Sequence, residues 1–211
     1  MIAEATMQTV RTTQMETNRL QRQIEFIIEI DRLKQVFRRS YITDGSRREN
    51  DAEHSWHLAM MVILLGEYAA HPRLDILRAI KMALVHDMVE IITGDTFVYD
   101  TASRSLIAEK EAAAAEKLFG MLPEPECTEL KALWTEYEVF ETPEAKYVRA
   151  LDRLQPILLN YTTEGRTWKE HGIDAETVRA LNVPILYTGA PELVPFVENL
   201  LQDATKRSYL K

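Results

Sequence analysis

The stretch HDMVEIITGD, residues 86–95, places His86, Asp87, Glu90 and Asp95 among neighbours that are largely apolar. A buried carboxylate is costly unless it is paired, hydrogen-bonded or bound to a cation, so this group calls for a compensating positive charge. A neutral imidazole beside a carboxylate is a good start on the coordination shell of a divalent metal ion. With about 100° per residue on an ideal helix and His86 at 0°, Asp87 falls near 100° and Glu90 near 40°, so the three converge, whereas Lys81 falls near 220° and faces away. A complete metal site needs further donors from elsewhere in the chain.

Two polar residues sit where helical patterning predicts burial or a groove. His54 lies inside an otherwise apolar amphipathic helix (AEHSWHLAMMVILL), and Asp152 lies in a helix between Leu151 and Leu154. Each could reach across to a central helix that carries His86 and Asp87. Taken singly, each also has a plain explanation. An isolated histidine on an apolar face is commonly a hydrogen-bonded core residue, Asp152 has Arg149 and Arg153 as neighbours for an ordinary ion pair, and an HD dipeptide arises by chance. The set is more specific than its members.

The elements that must position these residues read as helices nearly throughout, and no segment shows sustained strict alternation. The expected fold class is all-α. Residues 1–16 carry little apolar periodicity and read as a tail or lead-in, followed by one domain over 17–211. A first helix is expected from about Asn18 to Arg38 and a polar loop over 39–50, with Asp44-Gly45 as its turn signal. Asn50 or Asp51 caps a second helix reaching about Ala70, and Asp75 caps a central buried helix running through the HD segment to Gly94. After a loop (DTFVYDTAS), helices follow near 104–121, 128–139 and 143–162. Short helices near 174–181 and 191–206 form a C-terminal elaboration. Trp56, Trp134 and Trp168 read as packing residues, and His57 as a core residue or an outer partner of the site.

The bulk composition narrows the function classes. A formal net charge of −8 over 211 residues disfavours binding to a nucleic-acid polymer. The single cysteine, Cys127, excludes an internal disulfide and a cysteine-rich metal site, and reads as a small hydrophobe. The chain shows no secretory leader pattern and no apolar run long enough for a bilayer, so a cytoplasmic protein without membrane contact is expected.

The sequence AEHSWH, then ALVHDMVEIITGD, then ALDRLQ resembles the HD-domain metal-dependent phosphohydrolases, whose signature is H…HD…D on an all-α core. The order and spacing fit, with His86 32 positions after His54 and Asp152 65 after Asp87. The phrase RRENDAEHS and the HD-x-x-E-x-x-x-x-D extension are similar to the compact 5′-nucleotidase (5′-deoxynucleotidase-like) branch, over about residues 30–160. The resemblance implies a single-domain HD-type helical bundle with the metal site between central helices, and His54, His86, Asp87 and Asp152 as metal ligands. It implies one divalent ion (Mn, Co, Mg, Fe or Zn) that leaves room for a water and a phosphate oxygen, lowers the pKa of that water and neutralises phosphoryl charge. Such an enzyme removes the 5′-phosphate of a nucleoside monophosphate.

Within that resemblance Glu90 is the general base toward the attacking water. Asp95 is a second catalytic carboxylate, although a turn residue after Gly94 reads equally from spacing alone. Arg39, 15 positions before His54, matches the phosphate-contacting arginine of the nucleotidases, with Arg48 and Arg47 on the same loop. Without the resemblance all three read as a solvated basic loop. The relatives place a bulky aromatic after that arginine where this chain has Ser40, so their preference for deoxyribose does not transfer. Tyr41 is the nearby aromatic. Relatives often dimerise, and the apolar faces of the terminal helices (PELVPFVENLL) are a candidate homodimer interface.

Other substrates remain open: nucleoside triphosphates, cyclic nucleotides, guanosine tetraphosphate or another phosphorylated metabolite. From a different class comes a non-catalytic helical module that binds a metal or a regulatory nucleotide. Glu90 and Asp95 separate the two, because a purely structural metal site wants closed coordination and has no use for spare carboxylates.

Overall fold

The computed structural model describes residues 18–96, 99 and 104–211, without the side chains of 104–106. The lead-in expected over 1–16 and most of the loop over 95–103 lie outside the described residues. The first described helix, α1, covers residues 18–30 and passes into a 3₁₀ turn, Asp31–Gln35. Instead of continuing to Arg38, the chain extends there into β1 (Phe37–Tyr41), which pairs antiparallel with β2 (Arg48–Asn50) across the Asp44-Gly45 turn. The expected loop is therefore a hairpin. Apolar alternation is missing because the inward positions of β1 are Arg38 and Ser40, buried by tertiary partners rather than by oil.

Helix α2 (Asp51–Leu64) starts with a reciprocal capping box between Asn50 and Glu53. It ends earlier than expected, in a 3₁₀ turn at Gly66–Tyr68. Helix α3 (Ile76–Val85) is capped by Asp75, whose side chain accepts from the Arg78 backbone N–H. The expected single helix from Asp75 to Gly94 is interrupted: α3 stops at Val85, residues 86–89 form tight turns, and α4 (Glu90–Thr93) resumes. The backbone tightens to three-residue hydrogen bonds there, with Met88 N donating to Val85 O and Glu90 N to Asp87 O. Gly94 then ends α4 at φ +78°, in the region that favours glycine.

Helices α5 (Arg104–Phe119), α6 (Glu126–Val139) and α7 (Pro143–Thr162) follow close to their expected bounds. Thr142 caps α7 with Pro143 in the first turn. A helix not anticipated from sequence, α8 (Arg166–His171), buries Trp168. Helix α9 (Ala175–Gly189) continues past its expected end through Pro184. The loss of one backbone donor is outweighed by packing on α7, where Gly189 approaches so closely that a Cβ would meet the Lys146 carbonyl at 2.0 Å. Helix α10 (Val194–Lys206) closes the chain.

Among the described residues two apolar cores result. The larger gathers Leu58 and Val62 of α2, Met82 of α3, Leu151 and Leu154 of α7, Leu186 of α9 and Leu201 of α10. The smaller joins Phe26 of α1, Val85, Val89 and Ile91 around the HD turn, Phe119 of α5 and Trp134 of α6. Trp134 and Trp168 are buried as expected, whereas Trp56 is 64% exposed because it lies on the outer face of α2. Val197, Leu200 and Leu201 of α10 are spent on the core, leaving Phe196 exposed. The HD turn lies between the two cores, where α2, α3 and α7 meet.

Candidate functional site

His54 from α2, His86 and Asp87 from the turn after α3 and Asp152 from α7 come together. His86 Nε2 lies 3.0 Å from Asp87 Oδ2 and 3.9 Å from Asp152 Oδ1. His54 Nε2 lies 3.6 Å from Asp87 Oδ2 and 3.1 Å from Asp152 Oδ1. Donors bound about 2.1 Å from one ion at right angles stand about 3 Å apart; His54, His86 and Asp87 offer donor atoms that all lie within 4.8 Å of one another, and Asp152 Oδ1 stands beside both imidazoles. Both imidazoles are buried, and neither His54 Nε2 nor His86 Nε2 has a hydrogen-bond partner among the described residues. His86 Nδ1 sits 2.9 Å from the Ala83 carbonyl, which makes Nδ1 the protonated nitrogen and turns the Nε2 lone pair into the cluster. The residues present fit a divalent metal ion.

Tyr137 of α6, which the sequence did not mark, braces two of these groups. Its hydroxyl donates to Asp152 Oδ2 at 2.9 Å, and its ring packs edge-on against His86 at 4.9 Å. The ordinary ion-pair reading of Asp152 finds less support, because Arg149 lies on the Tyr137 ring and reaches Glu138 at 3.3 Å. On the far side of His54, Glu49 is buried, accepts from Gln155 Nε2 at 2.6 Å and stands 3.9 Å from His54 Nδ1. His57 meets the same Gln155 amide at 3.2 Å, outside the cluster.

The cation inside the cluster is Arg38. Its Nη1 lies 2.7 Å from Asp87 Oδ2 and 3.2 Å from Asp51 Oδ1, and its Nη2 lies 3.9 Å from Asp152 Oδ1. Strand alternation explains the choice between two adjacent arginines: β1 turns Arg38 and Ser40 inward and Arg39 outward. Arg39 is exposed but lines a small cavity of about 60 Å³ with Ser40, Asp95 and Asp152. Arg48 is engaged elsewhere, contacting the Arg39 carbonyl, Glu170 at 3.0 Å and the Tyr41 ring at 4.7 Å. Tyr41 is also held away from the cluster, stacked under Arg166 and donating to Glu170 at 2.9 Å.

Glu90 is the first residue of α4, 9% exposed, and offers an oxygen within 4.8 Å of oxygens from Asp51 and Asp87. Glu90 and Asp95 both line a larger cavity of about 460 Å³, which also reaches Asp87, Asp152, Arg149 and Arg153. The two cavities share Arg38, Asp95, Asp152 and Arg153, so the cluster opens on both.

The proton affinities follow from burial and charge. Burial and the facing Asp87 push Glu90 well above the ordinary carboxylate range, and burial raises Asp95. For Asp87, burial opposes ionisation, but the His86 ring and Arg38 outweigh it and hold the carboxyl low. Burial and then Arg38 lower His54, whereas at His86 the Asp87 carboxylate overcomes burial and raises it.

These shifts set the pH dependence of the metal-free fold. Burial pushes Glu49 and Asp51 up to about 7. Each therefore keeps its proton in the fold at pH values where the unfolded chain, near 4.5 and 3.8, has released it. Their stabilisation is complete below those values and is lost as pH rises toward 7. His86 works in the same direction above about 6.5 and His54 in the opposite one. In EDTA, Tm is expected to fall between pH 5 and 7.5, a loss of about 2 kcal/mol being worth roughly 4–8 °C at this size. Adding Mn²⁺ raises Tm more at pH 7.5 than at pH 5, because ligands bind metal only when deprotonated. A Tm that climbs steadily with pH in EDTA contradicts this account.

The family model described as HD domain matches residues 30–194. The chain belongs to the HD-domain family. Among solved structures, one described as a predicted metal-dependent phosphohydrolase from Magnetospirillum magnetotacticum MS-1 is 48% identical with a TM-score of 0.86. That match covers 92% of this chain and 96% of the other. The PH0347 protein of Pyrococcus horikoshii OT3 is 26% identical with a TM-score of 0.61, covering 84% of this chain and 99% of that one. Among curated proteins, 5′-deoxynucleotidase HDDC2 of Xenopus laevis is 36% identical over 136 residues, 64% of this chain and 66% of the relative. The human protein of that name is 32% identical over 64% of this chain and 65% of its own length. The match thus spans just under two thirds of these relatives. Among the described residues, no helix is long and apolar enough to cross a membrane.

Proposed function

We propose that this HD-domain protein is a metal-dependent phosphomonoesterase that removes the 5′-phosphate from nucleoside monophosphates. The carrying observation is the convergence of His54, His86, Asp87 and Asp152 at 3.0–3.9 Å, beside carboxylates that this set leaves spare. On this reading those four hold one divalent ion, which when bound neutralises phosphoryl charge and acidifies a water. Glu90, buried beside Asp87 with its proton affinity raised, takes the proton of the attacking water. Arg38 and Arg39, on the walls of the small cavity, grip the phosphate oxygens, and Asp95 faces the reacting group from the shared wall.

Residues 17–211 act on this reading as one catalytic unit in a cytoplasmic homodimer. Exposed Leu20, Ile24 and Ile27 of α1 beside Leu84 of α3 supply an apolar surface that supports the pairing. The substrate is read as a nucleotide of either sugar, because buried Ser40 presents no bulk to a 2′-hydroxyl. A phosphatase screen over ribo- and deoxynucleoside 5′-monophosphates with Mn²⁺ or Co²⁺ is expected to show phosphate release that EDTA abolishes. Absence of turnover on every nucleotide and phosphoester overturns the reading. Nucleotide binding without turnover points instead to a regulatory module.

A further inference from the structure

Asp51 is fully buried at the first position of α2, and nothing in its helix explains that. An acidic residue in a first turn gains from the helix dipole while exposed, so the dipole does not require burial. The capping duty is already taken by Asn50. Burying a carboxylate is costly unless a partner compensates. The partner is Arg38, 3.2 Å from Asp51 Oδ1, and the same guanidinium nitrogen lies 2.7 Å from Asp87 Oδ2. The backbone reinforces the pairing, with Asp51 N donating to Val36 O at 3.0 Å and so fixing the start of α2 to the base of β1. Asp51 Oδ2 is buried with no hydrogen-bond partner among the described residues, and Glu90 is the acid beside it.

We propose that Asp51 is a positioning residue: its carboxylate competes with the metal-donor oxygen of Asp87 for the Arg38 guanidinium, so that Arg38 presents its remaining donors to a phosphate in the adjoining cavity. Coulomb attraction decides where Arg38 sits. With charges on both Asp51 and Asp87, the guanidinium is shared between them. With Asp51 neutral, it is drawn onto Asp87 and Asp152, whose oxygens the ion needs, and away from the phosphate. The inference rests on the phosphohydrolase reading for its substrate, but its first readout is binding and needs no turnover.

The test uses the metal-loaded full chain and two near-isosteric changes, Asp51→Asn and Arg38→Gln, singly and together. Inorganic phosphate affinity, measured calorimetrically at saturating Mn²⁺ and pH 8.5, is expected to fall about tenfold in Asp51→Asn, matching the loss of one charge-assisted contact. KM for a nucleoside monophosphate rises by a similar factor while kcat changes less than threefold. Because Asp51 acts through Arg38, the double variant is no worse than Arg38→Gln alone. A merely structural Asp51 instead lowers Tm and leaves phosphate affinity and KM unchanged, and that result overturns the proposal. Losses that multiply in the double variant overturn it as well. If Asp51→Asn does not fold, the double variant, which carries no unpaired buried charge at this pair, decides by matching or falling below Arg38→Gln. A parent that binds phosphate yet hydrolyses no nucleotide defeats the phosphohydrolase reading, while the phosphate affinities still judge Asp51.

Discussion

Asp87→Ala is expected to leave less than a tenth of the parent's bound divalent metal after dialysis and to abolish phosphate release. Asp87 Oδ2 is the hub of the cluster, 3.0 Å from His86 Nε2, 3.6 Å from His54 Nε2 and 2.7 Å from Arg38 Nη1. Removing an outer partner of a metal ligand already costs about 10–100-fold in affinity, and removing a ligand costs at least that. The fold survives, because Arg38 keeps Asp51 at 3.2 Å and so is not left as an unpaired buried cation. The decisive measurement is metal content by elemental analysis beside Tm in EDTA. Stoichiometric metal in a folded Asp87→Ala protein removes Asp87 from the ligand set and takes the shared-shell geometry with it.

What the sequence disclosed of this site, and what it did not, divides along physical lines. His54, His86, Asp87 and Asp152 stand out because each is a polar residue where the helical period demands an apolar one, and the structure brings all four together. The ideal-helix angles reached the right neighbourhood for Glu90 by a wrong route. The chain is not helical over 86–89, and three-residue hydrogen bonds wind the HD turn tighter than the assumed spacing. Caps at Asn50 and Asp75 were legible because they depend on neighbours in sequence.

Arg38, Asp51, Tyr137 and Glu49 went unmarked because their significance lies in partners 13 to 106 residues away. The hairpin was missed for the same reason. Its inward positions, Arg38 and Ser40, are polar, so only contacts with Asp51, Asp87 and α8 make it a strand pair. Arg39 and Arg48 show the limit of spacing as a guide: on a strand, one position decides which side chain faces the site.

Glu90→Gln separates metal binding from proton transfer. The variant is expected to retain at least half of the parent's metal and to lose about 10²–10⁴-fold in kcat, the range of a general base. The four donor distances that define the cluster do not involve Glu90, so metal retention follows from geometry. Glu90 lines the larger cavity and its buried Oε2 has no hydrogen-bond partner among the described residues, so once ionised it can accept a proton there. Glutamine preserves shape and polarity but cannot accept that proton, so KM moves little while kcat collapses. The pH profile carries a second check. Glu90's affinity for its proton is raised by burial and Asp87, so in the parent the acid limb of kcat/KM reports its ionisation, and in Glu90→Gln that limb is lost. Loss of metal in Glu90→Gln makes Glu90 a ligand rather than a base. Full activity with metal retained moves the proton acceptor to Asp95, which lines the larger cavity beside Glu90, and Asp95→Asn then has to show the collapse that Glu90→Gln did not.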